Sequence, residues 1–228
     1  MSDVDQPKGQ PVWPPYYANP STLAAHEAAQ KTADWIADEE VEVESGLSDR
    51  EWMALRSFRV CHEHHHSILA LFADGHAASA VALIRPCFES LARGLWCRDL
   101  PNDQAIEHFR VGHDTKVPEK LLRECRTPEN ADIIDRLELL WELSKKDLHG
   151  YTHGGFALLV VRDDADAMPT ELVERALRFT TQTALAAMME MLRMVGLYEQ
   201  SLPELMRHFR QLGRPDEDAL ALLTEHGL

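Results

Sequence analysis

Between His76 and Asp99 the chain places apolar residues on nearly every side of a helical cylinder. Ala77, Val81, Ile84, Phe88, Leu91 and Leu95 form one stripe at 3–4 spacing, and Leu83, Cys87, Ala92 and Trp96 widen it. A helix with so little polar surface must be covered by other elements, so it belongs at the centre of the molecule. The surrounding segments have ordinary amphipathic helical periodicity, and none shows the sustained alternation of a half-buried strand. The expected fold is all-α: a bundle of about five main helices around a central buried one, with an extended N-terminal arm and short C-terminal helices.

Proline and glycine mark the boundaries. Residues 1–20 hold Pro7, Pro11, Pro14, Pro15 and Pro20, with Trp13, Tyr16 and Tyr17 between them. That density argues against a helix and for an extended arm whose rings pack on the bundle. A helix begins at Ser21, read as its N-cap, and the acidic residues 38–45 follow as a solvated linker. Ser48 and Glu51 make a capping box that opens a helix to about Ala73, with Leu55, Phe58, His62, His65, Leu69 and Phe72 on one face. After Gly75 comes the central helix. Pro101 opens a short piece to Arg110, Pro118 another to Cys125, and Pro128 a helix to about Lys146. Residues 148–155, LHGYTHGG, read as a turn, and FALLVV (156–161) as a short strand or a buried extended piece. A last long helix runs from Thr170 to Val195 and ends at Gly196, with short pieces at 202–212 and 216–225. This divides the chain into an arm (1–20), a bundle (21–199) and a helical tail (200–228).

A chain of 228 residues with 45% hydrophobic content can bury a core without disulfides or metal staples. Its four cysteines form no C-x-x-C pair, and the first ten residues have neither a basic nor an apolar leader region, so a cytoplasmic protein with free thiols is expected. No apolar run reaches the length of a membrane span. The net charge of −15 argues against non-specific DNA or RNA binding, although a local cationic cleft would survive that average.

Three polar constellations stand out against this background. Arg85, Glu89 and Arg93 are spaced i, i+4, i+8 on the central helix, so they must pair with one another or with a ligand. Pro86 lies among them and is expected to kink the helix. His62, Glu63 and His66 match H-E-x-x-H, which can hold zinc, with Glu89 as a third ligand; Glu63 and His66 also give the E-x-x-H of helical di-iron sites. Neither the substrate-binding sheet edge of such proteases nor a second E-x-x-H is visible in the sequence. Lys146, Asp147, His149, Tyr151 and His153 cluster where one helix ends, and histidine beside a cation can serve acid–base chemistry on a phosphate.

Two resemblances follow from these residues. Arg85, Pro86, Phe88, Glu89, Arg93, Gly94, Leu95 and Trp96, with Tyr151 to Gly155, resemble the R-P-x-F-E-x-x-x-R-G-L-W and Y-T-H-G-G signatures of an uncharacterised bacterial family of helical proteins. Lys146, Asp147 and His153 resemble the basic–polar–histidine pattern of HEPN helical domains, with lysine in place of the family's arginine. HEPN domains are often dimeric RNA-cleaving toxin or defence proteins, so that resemblance implies a homodimer acting on RNA through His153.

Three readings are therefore open. One is a HEPN-like protein acting on RNA, with His153 as acid–base group and Lys146 or Arg85 holding the phosphate. Another is a metal-dependent hydrolase or oxidase that uses zinc or iron at His62, His66 and Glu89. The third needs no cofactor: a non-catalytic homodimeric or partner-binding module with a structural polar cluster. Arg85, Glu89, Arg93 and Tyr151 are the expected pocket residues, and His153 could complete a pocket with Arg85, Glu89 and His62 or His65.

Overall fold

The Ser48 hydroxyl accepts from the Glu51 amide at 3.3 Å, while the Glu51 carboxylate accepts from the Ser48 amide at 2.9 Å. This reciprocal cap opens α2 (Asp49–Ala73) as its sequence indicates. The structure, a computed structural model, describes residues 13–39, 46–99, 103–112, 117–152 and 168–212. At the end of α2, Gly75 takes φ +79°, a left-handed turn that favours glycine. The chain then returns as α3 (Ala77–Asp99), and among the described helices the α2–α3 contact is the most extensive.

The remaining elements cover this hairpin. Helices α1 (Pro20–Asp38) and α7 (Thr170–Met194) pack together and on α2, and α7 also touches α3. The other side of α3 is covered by α5 (Pro118–Glu124) and α6 (Ala131–Thr152). Short α4 (Asp103–Arg110) sets Phe109 edge-on against Trp96. Finally α8 (Tyr198–Gln211) lies on α7 and reaches α1, where His208 Nδ1 meets Thr32 Oγ1 at 2.9 Å and the ring stacks on Trp35. Five helices exceed eighteen residues, and among the described residues there is no strand. The fold is an all-α bundle.

Phe58, Phe72, Phe88 and Trp96 are fully buried at its centre, and all four cysteines are buried free thiols. One buried charge is embedded in this core. Glu190, fully inaccessible, accepts from Arg98 of α3 and from Arg193 at 2.6 Å, and Arg98 also holds Asp99. Removing either partner of such a pair would leave a charge without compensation, so the network fixes α3 against α7. No helix among the described residues is long and apolar enough to cross a membrane.

Three expectations need correction. Pro15–Ala18 form a 3₁₀ turn, since proline suits a first helical position, and Tyr16 and Tyr17 are buried by it. The α1 cap is Asn19, whose side chain accepts from the Ser21 amide at 3.0 Å, with Pro20 in the first turn. Most consequentially, α6 does not stop at Lys146 but continues through Gly150 to Thr152, whose hydroxyl bonds back to the Leu148 carbonyl at 2.9 Å. Of the expected arm (1–20) and linker (38–45), residues 1–12 and 40–45 lie outside the described residues, and the expected extended piece (156–161) and helix (216–225) lie wholly outside them.

Candidate functional site

The extension of α6 decides what Arg85 meets. Trp141, Lys145 and His149 recur every fourth residue and so share one side of α6, the side turned to α3. Arg85 Nε donates to Glu89 Oε1 at 2.7 Å along α3, and Arg85 Nη1 donates to His149 Nδ1 at 3.0 Å across to α6. Below the guanidinium lies the Trp141 ring, 5.9 Å from it, itself stacked on Phe88 at 5.2 Å. Trp141 is buried, and its indole N–H has no acceptor among the described residues.

This cluster sits at the boundary between core and solvent. The Arg85 side chain is 17% exposed and that of Glu89 31%, while His149 is exposed. Arginine stays protonated, so a histidine nitrogen that accepts from it carries no proton. The His149 ring therefore bears its hydrogen on Nε2. A guanidinium oriented by a carboxylate, with an imidazole beside it, can recognise a phosphate and exchange a proton with a group bound there.

Arg93 takes a different direction. Its guanidinium lies over Phe109 of α4 at 5.0 Å, and burial pushes its pKa down. The i, i+4, i+8 row thus divides: Arg85 and Glu89 belong to the α3–α6 cluster, Arg93 to the α3–α4 contact. Lys146 is exposed one turn before His149, and Asp147 and Tyr151 lie on α6. His153 lies outside the described residues.

The histidines of α2 are not brought to Glu89. His62 Nε2 lies 3.1 Å from the Ala184 carbonyl of α7, His66 is exposed, and Glu89 turns to Arg85. Among the described residues, no three His, Cys, Asp or Glu side chains converge on one ion position. Burial drives the His62 pKa down to about 4 and that of His65 to about 3, so both rings are neutral near pH 7.

In the sequence, Arg85, Glu89 and His149 fall in separate groups, because glycine commonly ends a helix and three glycines stand at 150, 154 and 155. Trp141 reads there as core, with no sign that it also carries Arg85. The eight-residue interval from Trp141 to His149 was the available signal, two turns along one helical face.

Residues 58–212 match the model of a family described as "Family of unknown function (DUF6988)". No curated protein and no solved structure matches the chain.

Proposed function

The chain belongs to DUF6988, a family of unknown function, and from that premise we propose that it is a HEPN-like protein acting on RNA at the Arg85–Glu89–His149 cluster. The observation that carries this reading is the 3.0 Å contact between Arg85 Nη1 and His149 Nδ1 at a partly open surface. It unites a phosphate-binding cation with an acid–base group drawn from two different helices. In the resemblance noted above, the cation precedes the histidine on one helix; here Arg85 of α3 takes that part, and Lys146 adds charge one turn away.

An incoming phosphodiester draws the Arg85 guanidinium onto its non-bridging oxygens, a charge-assisted contact stronger than its bond to a neutral imidazole. Glu89 holds the guanidinium in place during that exchange. His149 Nδ1, released, accepts the proton of the adjacent 2′-hydroxyl. The O2′–P bond forms, the P–O5′ bond breaks, and the leaving oxygen takes a proton from water. The products are a 2′,3′-cyclic phosphate and a 5′-hydroxyl end. A homodimer would set two such clusters on one RNA.

A second reading has its own support. Arg85 Nε and Nη1 already have partners in Glu89 and His149, so the cluster also serves as a clamp between α3 and α6 in a non-catalytic binding module. The two readings separate on His149→Ala. Cleavage of end-labelled RNA by the wild type, giving cyclic-phosphate ends, should fall about 10²–10⁴-fold in this variant, as for loss of an acid–base group. Arg85→Lys should lose a comparable share, since lysine cannot make the bidentate contact. An unchanged cleavage rate in His149→Ala would overturn the catalytic reading.

A further inference from the structure

Small residues let α2 and α3 approach each other closely. Cys87 and Gly94 stand two turns apart on α3, and both turn to α2. A Cβ at Gly94 would crowd the Phe58 ring, and Cys87 Sγ lies 3.7 Å from Cys61 Sγ. Both of these thiols are fully buried, and Cys87 Sγ also donates to the Cys61 carbonyl at 3.5 Å. The other two cysteines are placed differently. Cys125 Sγ donates to the Leu122 carbonyl at 3.4 Å, and Cys97 has Arg93 one turn away.

We infer that Cys61 and Cys87 form a redox-responsive brace: a hydroperoxide links them as an intramolecular disulfide that ties α2 to α3, and a dithiol releases it. A disulfide brings its sulfurs to about 2.05 Å, so from 3.7 Å each has to move by only about 0.8 Å. Residues 61 and 87 lie far enough apart in the chain for the link to restrict the unfolded state, which stabilises the native one.

The chemistry balances with the peroxide as oxidant. One cysteine sulfur attacks the peroxide, an S–O bond forms, the O–O bond breaks, and the leaving hydroxide takes the thiol proton as water. The resulting sulfenic acid is attacked by the second sulfur. The S–S bond forms, the S–O bond breaks, and hydroxide leaves with the second thiol proton. Two thiols and one peroxide thus give one disulfide and two waters. Burial and the neighbouring thiol push the Cys61 pKa well up, so little thiolate is present and the link forms slowly. The brace therefore answers to sustained oxidation, through local opening of the core that admits a molecule as small as hydrogen peroxide. A dithiol reverses the change by exchange and becomes a disulfide itself.

The test incubates the reduced full chain with hydrogen peroxide, then unfolds it in urea with iodoacetamide and maps its peptides by mass. A parallel incubation in urea below the unfolding transition makes core opening more frequent, so that access alone does not decide the result. Cys97 and Cys125 should be alkylated, while Cys61 and Cys87 should appear as one cross-linked peptide pair that dithiothreitol separates. The linked protein should stay a single chain without reductant and raise its urea midpoint by about 1 M. Cys87→Ala should show neither the link nor the rise. All four cysteines alkylated in both incubations, a different pairing, or a linked form with an unchanged or lower midpoint would each overturn the inference. The RNA reading stands or falls separately, because the test reads thiols and unfolding rather than cleavage.

Discussion

A methyl group added at Gly94 would come within 2.3 Å of the Phe58 ring. That contact explains why a glycine stands in the middle of the buried helix, where it would otherwise weaken the element. Gly94→Ala should therefore destabilise the protein by about 1–3 kcal/mol through overpacking, read as a lower urea midpoint; an unchanged midpoint would show that Phe58 does not pack there. The sequence shows Gly94 as part of a signature but gives no hint of Phe58, because the partner lies 36 residues away on α2. His62 and His65 are a second case at this scale. Their spacing on the Leu55–Phe72 face was legible, but the absence of a hydrogen-bond partner for His65 among the described residues was not. Burial holds both pKa values far below the ordinary imidazole range, to about 4 and about 3. The unfolded chain takes up protons on these rings as pH falls through about 6.5, and the native chain does not. Their contribution is thus fully present above that pH and is lost on acidification towards the folded values, by about 1.4 kcal/mol per pH unit for each ring. Urea midpoints at pH 7, 6 and 5 should fall in that order, and a flat profile would contradict the burial of these histidines.

Among the elements, α6 shows where sequence reasoning succeeds and where it stops. The inward spacing of Ile133, Ile134, Leu137, Leu140 and Trp141 indicates a helix that packs on α3, and that is the observed arrangement. Its continuation was hidden because glycine is a common helix terminator, and Gly150 stands close to two more. Inside a helix, glycine costs about 1 kcal/mol relative to alanine. Burial of Leu148 and the bond from Arg85 to His149 oppose that cost, and both arise only if the helix goes on. The two views make opposite predictions for Gly150→Ala. A Cβ there meets nothing within 4 Å, so the continuous helix gains about 0.5–1 kcal/mol. A loss of stability, measured by urea or thermal unfolding, would mean that residues 148–155 turn instead. By contrast, the Ser48–Glu51 box and the Gly75 turn were fully legible, because local chemistry alone determines them.

For the molecule as a whole, the central helix was the feature from which the architecture followed. Covering α3 on nearly all sides requires several partners, and the bundle provides α2, α5, α6 and α7. What could not be read from sequence is which polar residues of neighbouring helices meet, since helical phase across a contact depends on packing rather than on either stripe alone. The charge balance constrains function at this scale. A net charge of −15 repels RNA, so binding has to come from a focused cation and must weaken steeply with added salt. In the proposed RNA reading, Arg85 beside His149 is that cation. That assignment is tested most directly by fluorescence anisotropy with a 2′-O-methyl RNA, which binds without being cleaved and so separates recognition from chemistry. The wild type should bind with a salt-dependent affinity, and Arg85→Gln should bind at least tenfold more weakly at the same ionic strength. Equal affinity in the two proteins, or no binding by the wild type at low salt, would contradict it.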